Sequence, residues 1–395
     1  MRLLQVNCFP TLAARHGGQR RADQTAKAIE AAGHQVHRVA VCTATEATSQ
    51  PCEPWFDLGA MPPPRHPFII NMDGARAIAR SVSATAAFSA LCEASRPDAV
   101  IFGLPWMWPA VLRLPSVSER RIPLIYNCEN IEAPLKRRIL EETGFEATQL
   151  ITAEIEALER EVASMAWGCA AVTEADVTQL RAWGAGRVVL APNGVEARPR
   201  DHLDRALPAP LRPEHRYLLY IGSAHPPNLT GFRRVMPHVL EALRPDERIV
   251  AAGGVAHLIS TWLHEDGPVH LARDRLVLLP DVTDLALDAL IHNSSGLVLP
   301  MDSGGGSNLK TAEALHSGLP MVATKIAMRG HEAFADMDGV LIAESPQDCR
   351  AAIRRVFDDP PPRRLPSPRL DSLLWSNTLR PMVDLVAELA TEIDR

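Results

Sequence analysis

The chain has 395 residues, 46% of them hydrophobic and 22% charged, with a formal charge of −6. That length predicts two domains, the composition is that of a soluble globular protein, and the acidic balance excludes a nucleic-acid binder working by phosphate neutralisation. Seven scattered cysteines without a C-x-x-C exclude a disulfide framework or zinc knuckle and predict a reducing, cytoplasmic setting.

The chain opens on a strand over 3–6, so residues 1–6 do not read as a signal peptide. A loop follows, then a helix over 19–32 that Gly33 ends, and a strand resumes over 35–41. Further apolar runs at 99–102, 123–126, 170–172 and 187–190 complete the first set of strands. Strands that alternate with helical patterns predict a parallel sheet with helices on both faces. From Pro192 to Arg216 the composition turns to proline and charge, which marks a linker. The alternation restarts at 217–221 and continues with strands at 249–252, 276–279, 297–299 and 321–323. A proline-rich stretch then leads to an amphipathic helix over 375–392. No 18-residue apolar run predicts a membrane span, which leaves peripheral membrane contact open.

The most telling stretch is 297–324, LVLPMDSGGGSNLKTAEALHSGLPMVAT. It reads as strand, glycine turn, helix from about Asn308, glycine stop at Gly318, and strand. Gly304, Gly305 and Gly306 let backbone N–H groups approach a ligand with no Cβ in the way. The helix that follows aims its unpaired N–H groups, from Gly305 through Ser307 to Asn308 and Leu309, at the same turn, an arrangement that binds phosphate. Three glycines equally suit an ordinary tight crossover turn. Glu313, about one turn inside and able to hydrogen-bond a ribose diol, and Lys310, a cation near the helix start, favour a nucleotide-diphosphate cradle. Neither GxxxxGK[ST] nor a GxGxxG after a strand occurs.

This stretch resembles the donor-site signature of retaining GT-B glycosyltransferases of family 4. Many of those carry E-x7-E in an EGFGL…EA…G.PVVAT pattern, and the chain resembles the variant branch with GGG in place of the first Glu. Glu313 falls on the second Glu and Gly305 on the first. A second segment, YNCENIEAPLK at 126–136, resembles YDAHNVE…LK of the same branch. Asn130, Glu132 and Lys136 match it, while Glu129 stands where the family has His and Asn127 where it has Asp. The early loop with Pro10, His16, Gly17, Gly18 and Arg20 resembles the family's P…GG.R loop, which faces acceptor and donor sugar; by residue type alone it is a tight turn before a helix. Arg21 follows it. Pro192-Asn193-Gly194-Val195 matches the PNGVD turn, read as an Asn-Gly turn with positive φ. Glu174 and Asp176 fall on a structural element of the family.

In the second half, Tyr220-Ile221-Gly222-Ser223 and the loop to Asn228 resemble the strand and loop that meet the donor diphosphate. The family's Arg and Lys are missing there. Arg233 and Arg234 lie further on, so Lys310 and Arg329 are the candidates to replace them. Pro280-Asp281-Val282 resembles the strand end that holds the nucleotide base through its backbone.

The resemblance implies an α/β protein of GT-B architecture, with two doubly wound Rossmann-like domains facing across a cleft. The boundaries are 1–195 for the acceptor-side domain, 196–216 for the linker, 217–370 for the donor-side domain, and 371–395 for a helix crossing back to the first. It implies transfer of a sugar, with retention, from a nucleotide sugar to an acceptor hydroxyl. Candidate catalytic residues are Glu129, Asn130, His16 and Lys310. Candidate donor residues are Gly222, Ser223, Asp281, Val282, 304–309 and Glu313, and Gly17, Gly18 and Arg20 lie on the acceptor side. No cofactor is expected beyond the nucleotide sugar as substrate, and no metal. The sole close DxD, Asp336-Met337-Asp338, precedes its strand and reads as a turn, and His34 and His37 would not share a strand face. Signatures such as G-x-S-x-G and H-E-x-x-H are absent. A nucleotide-sugar epimerase on this fold and a non-catalytic scaffold relative are the alternatives.

Overall fold

The computed structural model describes residues 1–14, 16–197, 207–265, 267, 270 and 274–395. Residues 198–206 of the expected linker lie outside the described residues. The chain forms two compact units: the first is Met1–Asn193 with Gly305–Ser307 and Trp375–Arg395, the second Gly194–Gly304 with Asn308–Leu374.

The first unit is built on β1 (Arg2–Asn7), β2 (Gln35–Cys42), β3 (Trp55–Asp57), β4 (Ala99–Phe102), β5 (Leu124–Asn127), β6 (Gly168–Ala171) and β7 (Val188–Leu190). These seven strands are parallel in the order β3-β2-β1-β4-β5-β6-β7. The order reverses between β1 and β4, which opens a crevice at their carboxyl ends. Alternate side chains of a strand face opposite ways, and the core splits accordingly. Leu4, Val6, Val100, Phe102 and Tyr126 pack on one face with Met72, Ile78, Ile151 and Ile155. Leu3, Ile101, Ile125 and Ala170 pack on the other with Ile29, Met382, Leu385 and Val386. The last three come from the helix Arg380–Ile393.

Three expectations are corrected in this unit or at its edge. Strand β3 went unread because its three residues are too few to show a period. The helix expected over 375–392 is two pieces, Trp375–Thr378 and Arg380–Ile393. Pro381 explains the break, since it lacks an N–H and restricts the residue before it, so it starts a helix rather than continuing one. Neither Asn193 nor Gly194 has the expected positive φ. The Asn193 amide is buried and hydrogen-bonded instead, and the chain continues into a parallel bridge between Val195 and Leu374.

The second unit carries β8 (Arg216–Ile221), β9 (Glu247–Ala252), β10 (Leu276–Leu279), β11 (Gly296–Leu299), β12 (Met321–Ala323) and β13 (Val340–Ile342). All six are parallel in the order β10-β9-β8-β11-β12-β13, with the reversal between β8 and β11. Leu218, Tyr220, Ile249 and Val298 pack against Phe232, Val235 and Met236 of the helix Pro226–Leu240. Leu219, Val250, Leu297 and Leu299 pack against Ala312 and Leu315 of the helix Leu309–His316. Gly318, at φ +77°, ends that helix as expected. At the amino end of β9, Glu247 is fully buried. Its carboxylate accepts from Arg216 Nη2 at 2.8 Å, from the Arg244 N–H at 2.9 Å and from Arg354. Among the described residues no helix is long and apolar enough to cross a membrane.

Candidate active site

In the first unit the candidate residues gather at the carboxyl ends of β1, β4 and β5. The helix Gly17–Ala31 starts with a capping box: His16 Nδ1 accepts the Gln19 N–H at 3.5 Å and Gln19 Oε1 accepts the His16 N–H at 3.3 Å. The rings of His16 and Phe9 also meet edge to face, with centroids 5.1 Å apart. His16 is thus accounted for as a helix cap.

Glu129 stands just past β5 with its carboxylate between two glycines. A Cβ on Gly18 would lie 2.8 Å from Oε2, and one on Gly103 2.9 Å from Oε1. Gly18, in the first turn of the helix Gly17–Ala31, and Gly103 thus lie directly against this acid. Burial pushes the Glu129 carboxyl up to about 7, with Arg21 opposing and Glu132 adding to the rise. Asn130 Nδ2 donates to Glu132 Oε1 at 2.6 Å. Glu132 is also raised, first by burial, with Lys136 and Asn130 opposing.

Arg21, rather than the expected Arg20, is the arginine at the centre of this region. It is fully buried and donates to Asn127 Oδ1 at 2.6 Å, Ala191 O at 2.8 Å and Asn193 Oδ1 at 3.3 Å. Burial lowers its pKa to about 10, which leaves it a cation at neutral pH. Arg20 is half-buried and Gly17 exposed. Two acids in this region were not singled out from the sequence. Glu159 accepts the N–H groups of Glu132 and Ala133 at 2.6 and 3.0 Å, capping the helix Glu132–Glu142 from a different helix. Glu53 accepts the Thr11 N–H at 3.0 Å and its hydroxyl at 2.7 Å, which fixes the loop after β1. Glu174 and Asp176 lie in the first turn of a helix capped by Thr173.

Gly305–Ser307 packs with this unit. Ser307 Oγ accepts the Asn193 N–H at 3.0 Å, and Ser307 O accepts Asn193 Nδ2 at 2.9 Å. A Cβ on Gly305 would stand 2.5 Å from Asn130 Oδ1, and one on Gly306, at φ +58°, would meet the Glu129 carbonyl. The open faces of these two glycines, expected to admit a ligand, are taken by Asn130 and Glu129.

In the second unit the candidates gather at the carboxyl ends of β8 and β11. Lys310 lies in the first turn of the helix Leu309–His316, and its Nζ donates to Asn228 Oδ1 at 2.5 Å. It also stands 5.7 Å over the Tyr220 ring. Burial lowers its pKa to about 8, with Glu313 opposing. Asn228 Nδ2 in turn donates to Ser223 O at 2.9 Å, so Ser223 and Lys310 share one partner. Gly222 is held by tight backbone packing: a Cβ on Gly253 would be 2.7 Å from Gly222 O, and one on Gly254 2.7 Å from Ala224 N. No sequence signal pointed to Gly253 and Gly254.

The Asn308 side chain does not cap its helix. It donates to Ala327 O at 3.1 Å, and Thr311 Oγ1 donates to the same carbonyl. His331 Nε2–H donates to Asn308 O at 3.2 Å, and burial lowers His331 to about 4, so it is neutral. Gly304, at φ +143°, lies where a Cβ would be 3.0 Å from Arg329 Nη2, and Leu309 and Glu313 are half-buried. Arg233 rests 5.5 Å over Trp262. Asp281 is exposed and Val282 half-buried past β10. Asp336 contacts Arg369 in a turn ahead of β13. Among the described residues no group of three or more His, Cys, Asp or Glu could hold a metal ion.

The family model described as Glycosyl transferase 4-like domain matches residues 16–194, and that described as Glycosyl transferases group 1 matches 215–359. With both sheets parallel and helix-flanked, the chain belongs to the GT-B glycosyltransferases of this family 4-like type. No curated protein matches it. Among solved structures, sucrose-phosphate synthase from Thermosynechococcus elongatus superposes with TM-score 0.70 at 16% identity, covering 99% of this chain and 100% of that one. WaaG, a glycosyltransferase of lipopolysaccharide biosynthesis, gives 0.60 at 13% identity over 99% and 98%. A putative UDP-N-acetylglucosamine 2-epimerase from Listeria monocytogenes gives 0.58 at 14% identity over 100% and 97%. These likenesses carry the fold.

Proposed function

We propose that this glycosyltransferase moves a sugar from a nucleotide-sugar donor to an acceptor hydroxyl, with retention at the anomeric carbon and without a metal ion. The observation that supports the donor assignment is the placement of Lys310 within one unit: in the first turn of its helix, tied to Asn228 in the first turn of the helix that follows β8, with Glu313 one turn further in. A leaving diphosphate develops negative charge, and a fixed ammonium at the positive end of a helix meets that charge without reorganisation. Glu313 takes the ribose hydroxyls. On the other unit Glu129 and Asn130 serve the acceptor, with Glu129 poised near neutrality to accept a proton or a hydrogen bond from the attacking hydroxyl. Retention and the absent first Glu follow the family resemblance. The structural neighbour named for UDP-N-acetylglucosamine supports a nucleotide sugar as the ligand class for this fold.

The test is a thermal-shift panel of UDP-, GDP-, ADP-, CMP- and TDP-sugars, each with and without EDTA. A ligand that binds the native state alone raises the melting temperature. A selective shift that survives EDTA supports the proposal. A shift that EDTA abolishes and manganese restores removes the metal-free part. Release of free nucleotide from donor alone, with no acceptor added, points to an epimerase instead.

A further inference from the structure

Lys310 has a long, flexible stem, and side chains of this kind carry about 2 kcal/mol of rotamer entropy. A cation meant to sit against one phosphate needs its direction fixed before the ligand arrives. The second unit contains a device that does this, centred on a residue with no assigned role, Asn228.

Asn228 is 5% exposed, in the first turn of the helix Pro226–Leu240. Its amide orientation is determined by its two partners. Ser223 O accepts and so requires the Nδ2 side, at 2.9 Å; Oδ1 is left facing Lys310 Nζ, a pure donor, at 2.5 Å. The backbone of Asn228 is anchored as well: its N–H donates to His225 O at 2.9 Å, and its carbonyl accepts the buried Tyr220 hydroxyl at 2.8 Å. Tyr220 also offers its ring face to the same ammonium, 5.7 Å away. One side of Lys310 is thus lined by an amide oxygen and an aromatic face, both fixed by the end of β8.

The chemistry of the partner matters. A carboxylate at position 228 would orient the ammonium but neutralise it. An amide oxygen orients it with a single bond and leaves the full charge and two further N–H bonds for an anion. Desolvation of Lys310 agrees with this arrangement, since its pKa falls to about 8 even with Glu313 opposing. We infer that Asn228 is a positioning residue which aims the Lys310 ammonium at the diphosphate of the donor. The inference rests on the donor site proposed above.

The experiment compares UDP, GDP and ADP, each beside its nucleoside, by calorimetry on the full chain. The wild-type protein is expected to prefer one diphosphate over its nucleoside. Asn228→Ala should lower that preference about five- to tenfold, with nucleoside affinity nearly unchanged. Asn228→Asp, which keeps an oxygen toward Lys310, should lower it as well by competing for the charge. In a Lys310→Ala background, Asn228→Ala should add almost nothing to the loss of preference, because the residue acts through the lysine. Loss of affinity for nucleoside and diphosphate alike, or additive losses in the double variant, would overturn the inference and make Asn228 purely structural. A wild-type protein that prefers none of the three diphosphates would overturn the donor reading, and the inference with it. Melting temperatures of all variants separate misfolding from either result.

Discussion

The carboxylate of Glu129 occupies the space that a side chain on Gly18 would need, with Oε2 only 2.8 Å from the position of that missing Cβ. Gly103 does the same from the end of β4 at 2.9 Å from Oε1. Two glycines, one in the first turn of the helix Gly17–Ala31 and one just past β4, therefore make one slot, and the slot sets where the acid points.

Alanine at Gly18 or Gly103 should push Glu129 out of its slot. In an exposed helix a Gly→Ala change stabilises by up to ~1 kcal/mol; here overpacking should reverse the sign and cost about 1–3 kcal/mol. Sugar transfer should fall about tenfold to 100-fold, the effect of an ångström-scale misplacement. Urea denaturation and turnover on the same preparations check both; a more stable, fully active Gly18→Ala would refute the slot.

Glu129 also predicts a pH dependence. Its carboxyl titrates near 7 in the folded protein, above the ~4.3 of an unfolded chain. Folding thus favours the neutral acid: that contribution is full below ~4.3 and is lost as pH rises through about 7. Glu129→Gln, neutral throughout, should gain stability relative to wild type as pH climbs across this window. The same substitution should remove an inflection near 7 from the pH–rate profile. A stability difference that stays flat with pH would show that Glu129 titrates elsewhere.

On the donor side, Glu313→Ala should weaken nucleotide-sugar binding by about 1–3 kcal/mol, the range for leaving buried polar groups unpaired. Calorimetry that finds affinity unchanged removes Glu313 from the ribose.

Lys310, titrating at about 8, should make nucleoside-diphosphate affinity fall as pH rises past that value, because the ammonium becomes an amine. Nucleoside binding should stay level across the same range. Lys310→Ala should abolish the difference between the two ligands, and parallel pH curves for both would assign the lysine to the fold alone.

A stability prediction lies away from both halves of the site. Glu247 is wholly buried among Arg216, Arg244 and Arg354. Glu247→Ala removes their shared acid while Asp246 and Asp358 still pair with them, which should cost about 1.5–3 kcal/mol, the range for a hydrogen bond to a charged group. The urea midpoint should drop while the activity of folded protein is retained; a shift of the midpoint within error would mean the ion pairs are replaced by water.

Much of the fold was legible because parallel strands buried on both faces leave continuous apolar runs, and all but β3 did so. What stayed hidden depends on phase and distance. Arg20 and Arg21 are neighbours in the sequence, and which one turns inward depends on the helix starting at Gly17, which places Arg21 on the face of Ala22, Thr25 and Ile29. Glu159 caps a helix from 27 residues downstream, and no local pattern can announce a partner so far away. The glycine turn was read for a ligand, whereas Gly305 and Gly306 accommodate Asn130 and the Glu129 carbonyl; a missing Cβ records a close approach without saying of what. His16 was a catalytic candidate by its place beside the early glycine loop, and its Nδ1 is engaged in a cap.

The helix Arg380–Ile393 has a consequence for how the chain is made. Met382, Leu385, Val386 and Leu389 complete the core against Leu3, Ile101, Ile125 and Ala170, and Leu385 reaches to 3.2 Å from where a Cβ on Gly168 would sit. On the ribosome the seven strands of the first sheet emerge early, yet the face that Ile29 covers in part lacks Met382, Leu385, Val386 and Leu389 until residues 380–393 have left the exit tunnel. A chain halted anywhere in the second unit therefore presents that half-covered apolar face to chaperones and to its neighbours.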